Sequence, residues 1–172
     1  MRYVCLLRGV NVSGYRKLSM KDLLTMVQEL GCMNAVSYLQ SGNIVLDSSL
    51  SADLLQDMLA REICSRFGYA DVDVMAWTAA ELTEALEAVP QAWQSYDTSL
   101  LHFSFLKNGA GPASGGQNLD QYVVGKNVVY VYCPNGYGRT KLNNAYFEKL
   151  FGTRATTRNW NTTNKLLELV VS

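Results

Sequence analysis

The chain has 172 residues, 48% hydrophobic and 17% charged. That is enough for one domain or two small ones, and too apolar for a disordered segment. Fifteen basic and fifteen acidic side chains cancel, so bulk charge gives no reason to bind nucleic acid or a membrane surface. The charges are nevertheless sorted along the chain. Residues 1–21 hold five basic side chains and no acid, and residues 45–100 hold ten acids against Arg61 and Arg66. Residues 121–165 hold seven basic side chains against Glu148. Cys5, Cys32, Cys64 and Cys133 show no CxxC spacing, and His102 is the single histidine. This pattern argues against zinc and for buried, reduced thiols; no metal or cofactor is expected. The apolar run near Met1 is too short and interrupted for a signal peptide, and no stretch is long enough to span a membrane. A soluble cytoplasmic protein is expected.

In chain order, residues 2–8 read as a buried strand, followed by a loop at 9–17 marked by Gly9, Asn11 and Gly14. Ser19 and Asp22 resemble a capping box for a helix carrying Met20, Leu23, Leu24, Val27 and Leu30, closed by Gly31. Residues 36–39 and 44–46 predict two short strands joined by a turn at 40–43. Ser51 opens a second helix with Leu55, Leu59, Ile63 and Phe67 on one stripe, ending at Gly68. Residues 71–77 alternate acid with apolar and predict a strand with one exposed face. Strand, helix, strand, strand, helix, strand is the split βαβ order of a ferredoxin-like half.

Thr78 and Glu81 form another capping box, and Pro90 stops the helix that follows. Residues 1–77 are therefore expected as one half, 78–97 as a connecting helix and linker, and 98–172 as a second half. In that second half, residues 100–106 predict a strand and the Gly, Pro and Ser-rich 108–118 a flexible loop. Residues 121–124 and 128–133 predict a strand pair, 143–151 a helix closed by Gly152, and 155–158 a final short strand. Asn161 is expected to cap a last helix from Thr162 to Val170. The fold class expected is α+β, two packed ferredoxin-like (α/β-plait) subdomains, the second with its first helix eroded into the Gly-rich loop.

The stretch 135–165 carries Arg139, Lys141, Lys149, Arg154, Arg158 and Lys165 among many Asn and Thr side chains. Two loops there, 135–141 and 156–161, are read as feeding helix starts, where free N–H groups and the positive dipole end favour an anion. The first lacks GxxxxGK[ST] spacing, so it speaks for an anion and not for ATP. The loop at 9–17 is a similar basic, Gly-bearing segment leaving a strand. Arg158 has the planar fork that suits phosphate or carboxylate. Trp160 can stack a base, or simply fill the core. Gln40, Ser41 and Asn43 offer polar contacts that a turn also needs. Tyr15 and Tyr137 can gate a site or anchor their loops. His102, inside LLHFSFL, reads as a satisfied core histidine, and Glu148 as the partner of Lys141, Lys149 or another basic neighbour. No catalytic constellation stands out, and no catalytic residue is assigned.

The strings LRGVNVSG (7–14) with Lys17, YLQSGN (38–43), NGYGRTK (135–141), Glu148 with Lys149, and TTRNWNT (156–162) together resemble domain-of-unknown-function family 1697, whose members are mostly bacterial. The resemblance runs from the first strand to the last helix. It implies two α/β-plait subdomains and no established activity. Family members tend to carry a helix after the second half's first strand, where this chain has residues 109–116. The pattern gathers the same polar residues chosen above on chemistry, as if four loops converged on one site.

The leading expectation is a cationic, Asn/Thr-lined site for a small phosphorylated or nucleotide-like anion. Arg139, Lys141 and Arg158, with Arg8 and Lys17, would supply charge; Asn11, Asn43 and Asn159 would orient the ligand's polar body. Three rivals stand beside it. One is a single-stranded nucleic-acid-binding module, which the missing RNP-type aromatic signature disfavours. Another is an enzyme using Glu148 or a tyrosine. In the third, the polar motifs are purely structural and weld the halves. The oligomeric state is not legible.

Overall fold

The computed structural model describes residues 1–111, 113–117 and 119–172. The chain forms two compact units, Met1–Glu81 with Leu166–Ser172, and Leu82–Lys165. Each is a mixed α+β arrangement with one antiparallel sheet.

The first unit runs β1 (Arg2–Arg8), α1 (Met20–Glu29), β2 (Met33–Ser37), β3 (Asn43–Asp47), α2 (Ala52–Phe67) and β4 (Asp73–Thr78). Its sheet order is β2-β3-β1-β4, with every neighbouring pair antiparallel. β1 and β2 therefore run parallel with β3 between them, and β3 and β4 run parallel with β1 between them. Two interleaved βαβ units result, with α1 and α2 as the crossovers. Alternation along the strands sends Tyr3, Cys5, Leu7, Ile44, Leu46, Val74 and Ala76 into a core with Leu23, Met26 and Val27 of α1 and Leu55, Leu59 and Ile63 of α2. The expected caps are present: Ser19 Oγ accepts from Asp22 N–H and Ser51 Oγ from Leu54 N–H. β4 departs from expectation. Its acids stop at Asp73, and Val74, Met75, Ala76 and Trp77 are all buried, so it has no exposed face.

The second unit contains most of α3 (Ala79–Glu87), then β5 (Leu101–Leu106), β6 (Ser114–Gln117), β7 (Asp120–Val124), β8 (Val128–Tyr132), α4 (Asn144–Phe151) and β9 (Ala155–Asn159). Thr78 and Glu81 cap α3 reciprocally, with Thr78 N–H donating to Glu81 Oε2 and Glu81 N–H to Thr78 Oγ1. The sheet order is β6-β7-β8-β5-β9, again antiparallel between neighbours. Leu106, Tyr122, Val124, Val129, Val131, Cys133 and Ala155 pack with Leu142 and with Phe147 of α4.

Two expectations change here. The Gly-rich 108–118 stretch is not all loop, because Ser114–Gln117 pairs with β7 as an edge strand. A Cβ on Gly116 would collide with the Asp120 carbonyl, so the glycine that looked like a flexibility signal serves a close backbone approach. Pro112 and Asn118, part of that predicted loop, lie outside the described residues. Residues 156–161 are likewise not a loop. β9 runs straight into α5 (Trp160–Val171), and Asn159, not Asn161, caps that helix by accepting from Thr162 N–H at 2.8 Å.

Candidate functional site

In the first unit, the loop after β1 takes an unusual backbone path. Gly9, Asn11, Ser13, Gly14 and Arg16 all have positive φ, a concentration that persists only where surrounding contacts hold it. Asn11 supplies much of that hold. Its Oδ1 accepts from Leu18 N–H at 2.7 Å, and its Nδ2 donates to Leu18 O at 2.9 Å and Gln40 O at 2.6 Å. Arg16 donates to Asp71 O at 3.1 Å and pairs with its carboxylate at 3.4 Å, and Tyr69 Oη donates to Lys17 O at 2.7 Å.

The turn at 38–43 is tied to the same region. Leu7 N–H donates to Gly42 O at 2.8 Å. Asn43 is fully buried, and its Nδ2 donates to Tyr38 O and Ser41 Oγ, both at 2.8 Å. The structure thus brings the 9–17 and 38–43 motifs together. It engages the Asn11 amide with backbone and the Asn43 amide with backbone and the Ser41 hydroxyl, where the sequence suggested ligand contacts. Arg8, half-buried at the end of β1, stands opposite Asp73 of β4, while Lys17 is exposed.

In the second unit, β8 and β9 run parallel on either side of β5, so their C-terminal ends lie at one end of the sheet. The register makes this concrete: Leu101 pairs with Tyr132, and His102 with both Val131 and Asn159. The segment leaving β8 makes a single 3-10 turn at Tyr137–Arg139, and the Tyr137 ring stacks on His102 at 4.6 Å between centroids. That contact folds the 135–141 segment back over the end of β9, joining two of the predicted basic motifs. Arg139 and Lys141 are exposed and make no ion pair among the described residues.

Arg158 is different, with only 7% of its surface accessible. Its Nη1 donates to Thr156 Oγ1 at 2.8 Å and Thr157 O at 3.0 Å. Burial pushes its pKa down to about 10, with the Tyr137 phenol opposing that fall. Asn159, expected to orient a ligand, uses its side-chain oxygen on the α5 cap. Glu148, expected to pair with Lys141, Lys149 or another basic neighbour, has its Oε2 accepting from Ala155 N–H at 2.8 Å, at the start of β9.

A polar cluster that sequence reasoning missed lies on the α4 face. Thr157 Oγ1 lies 2.8 Å from Ser104 Oγ and donates to Asn144 Oδ1 at 2.6 Å. His102 and Ser104 share this face through their spacing on β5. The imidazole is not the satisfied core group expected. Its buried Nδ1 makes no hydrogen bond of acceptable geometry, although the Leu100 carbonyl, bonded to Cys133 N–H, lies near enough to oppose the lowering of the pKa by burial. Alternation within LLHFSFL placed His102 and Ser104 on one face; only register brought Thr157 to them. Cys64 also departs from expectation, being exposed on α2, whereas the other three cysteines are buried.

Residues 1–132 match the family described as "Protein of unknown function (DUF1697)". The chain belongs to the DUF1697 family. The match spans the 7–14 and 38–43 motifs and ends before the 135–141 and 156–162 strings. Among solved structures, the DUF1697 chain resembles the conserved bacterial protein SP0830 from Streptococcus pneumoniae at TM-score 0.75 and 22% identity, covering 98% of each chain. At that identity the likeness speaks for the fold. No curated protein matches this DUF1697 chain. No helix among the described residues is long and apolar enough to cross a membrane.

Proposed function

We propose that the chain is a cytoplasmic protein of two ferredoxin-like units that binds a small phosphorylated anion through the second unit. Arg139 and Lys141 make the direct contacts in this reading, and Arg158 adds positive potential from beneath. The observation that carries it is the Tyr137–His102 stack, which folds a segment bearing two exposed cations over the strand that carries a buried third. A guanidinium disfavoured by burial gains from a nearby anion, because the anion restores some of the stabilisation that water gave it. Asn11, Asn43 and Asn159 are assigned to scaffolding, since their hydrogen bonds shape loops and a helix start.

A purely structural role for the motifs is the second reading, favoured by those same asparagine contacts. Thermal shift with inorganic phosphate and ribose 5-phosphate separates the two, using wild type and the Arg139→Ala/Lys141→Ala double variant. Binding to the folded state raises Tm by mass action. A rise in wild type that shrinks in the variant supports the site. An equal rise in both, or none in either, leaves the structural reading standing.

A further inference from the structure

We infer that the 9–17 loop of the first unit is a recognition site for a nucleobase beside a phosphate, with Tyr15 as stacking platform and Lys17 as phosphate contact. The inference concerns the first unit alone and does not rest on the second unit's cations.

The argument starts from an aromatic ring held in water. Tyr15 is 65% exposed although it sits in one of the most constrained segments of the chain. Val12 and Tyr15 bracket a tight turn, with Tyr15 N–H donating to Val12 O at 2.8 Å and positive φ at both central residues, Ser13 and Gly14. Two positive φ values in succession mark a type I′ turn, which needs residues such as Gly and costs a serine some strain. The surrounding bonds of Asn11, Arg16 and Tyr69 hold this turn in place. Holding a large ring outward on a rigid base removes the ordering cost that a mobile loop would meet on binding.

One face of the ring is already backed. The Arg16 guanidinium carbon lies 5.0 Å from the Tyr15 centroid, and Arg16 is itself anchored on Asp71. The exposed face remains for a flat ligand. Lys17 supplies the second element. Its side chain turns back along the loop, so that Cε lies 3.9 Å from where a Cβ on Gly14 would stand. Its ammonium is exposed and makes no ion pair among the described residues. The charge of Arg16 is met by Asp71, so Lys17 is the cation of this loop left to meet an anion. An aromatic platform with an adjacent uncommitted cation matches the base and phosphate of a nucleotide. The same chemistry is offered by a free mononucleotide and by a single strand with unstacked bases.

Calorimetric titration tests this with adenosine monophosphate, ribose 5-phosphate and a five-residue oligoadenylate at fixed salt. The expected result is a preference for adenosine monophosphate over ribose 5-phosphate in wild type. That preference should fall by about tenfold in Tyr15→Ala and survive in Tyr15→Phe, as base stacking on an aromatic ring requires. Lys17→Ala should weaken adenosine monophosphate binding while the circular dichroism spectrum stays unchanged. Tighter binding of oligoadenylate than of mononucleotide would name a single strand as the source of the base, and the reverse a free nucleotide. Equal affinity with and without the base, or a preference untouched by Tyr15→Ala, overturns the inference. Phosphate binding at Arg139 and Lys141 carries no base preference, so its success or failure reads out separately.

Discussion

The Tyr137 ring lies nearly parallel to the His102 imidazole, 4.6 Å between centroids and 24° between planes. This pair joins the segment after β8 to the start of β5 and leaves His102 Nδ1 buried without a hydrogen bond of acceptable geometry. Burial is the larger influence on the imidazole and holds its pKa below the ordinary value of 6.5. A base whose pKa falls on folding binds fewer protons folded than unfolded, so stability rises with pH across that interval. The His102 contribution is therefore present above about pH 6.5 and declines as pH falls from there toward the folded-state value. Tm measured from pH 7.5 to 5 should drop less in His102→Gln than in wild type. Parallel curves would show that His102 does not contribute.

Asp47 should behave in the same sense, in a more acidic range. The Asn34 amide at 2.7 Å and then the Arg2 guanidinium at 3.1 Å favour its charged form and lower its pKa. A lowered carboxylate contributes stability above its ordinary value of 3.8, and that contribution is lost as pH falls through the folded-state value. Asn34→Ala should raise the Asp47 pKa toward its ordinary value, read by NMR titration of the carboxyl carbon. An unmoved titration would mean that the Asn34 bond does not control it.

Asn11→Ala is expected to destabilise the first unit by about 1–3 kcal/mol, because three hydrogen bonds to Leu18 and Gln40 vanish and backbone groups lose their partners. The position also has φ of 56°, which asparagine tolerates better than alanine. Urea unfolding measures the change. A loss below a few tenths of a kcal/mol would show that water replaces the amide without cost.

Gly42→Ala should be at least as damaging. The residue has φ of 86°, and a Cβ there would lie 2.8 Å from both Leu7 Cβ and Val10 Cγ2. Leu7 belongs to a central strand and cannot withdraw, so overpacking adds to backbone strain, together on the order of 2–4 kcal/mol. A melting temperature within a degree or two of wild type would refute this packing account.

Asn159→Ala removes the cap of α5 and should cost about 1 kcal/mol. Asn161→Ala, at the position that the sequence pattern alone would have chosen, should cost less. Comparing their Tm values tests the assignment directly. Equal losses would mean that the Thr162 bond is not the decisive one.

Much of the architecture was legible because its causes are local. The spacing of Leu55, Leu59 and Ile63 defined a helical stripe, Ser51 and Thr78 marked helix starts, and YVCLL marked a buried strand, each through interactions within a few residues. Local pattern misread residues that answer to distant partners. Gly116 looked like loop chemistry until β7 lay against it, and Asn161 looked like the cap of the last helix until β9 proved continuous with α5. The acids at 71 and 73 suggested an exposed strand face, but burial of Val74 to Trp77 is decided by what surrounds a strand, which its own alternation does not encode. The same division holds for the candidate sites. Residue types determined where positive charge and amide groups are concentrated along the chain. Only tertiary structure decided which are spent and which remain exposed, because a hydrogen bond across tens of residues depends on register. Asn11 meets Gln40, and Tyr137 covers His102, through strand pairing that no short window of sequence contains.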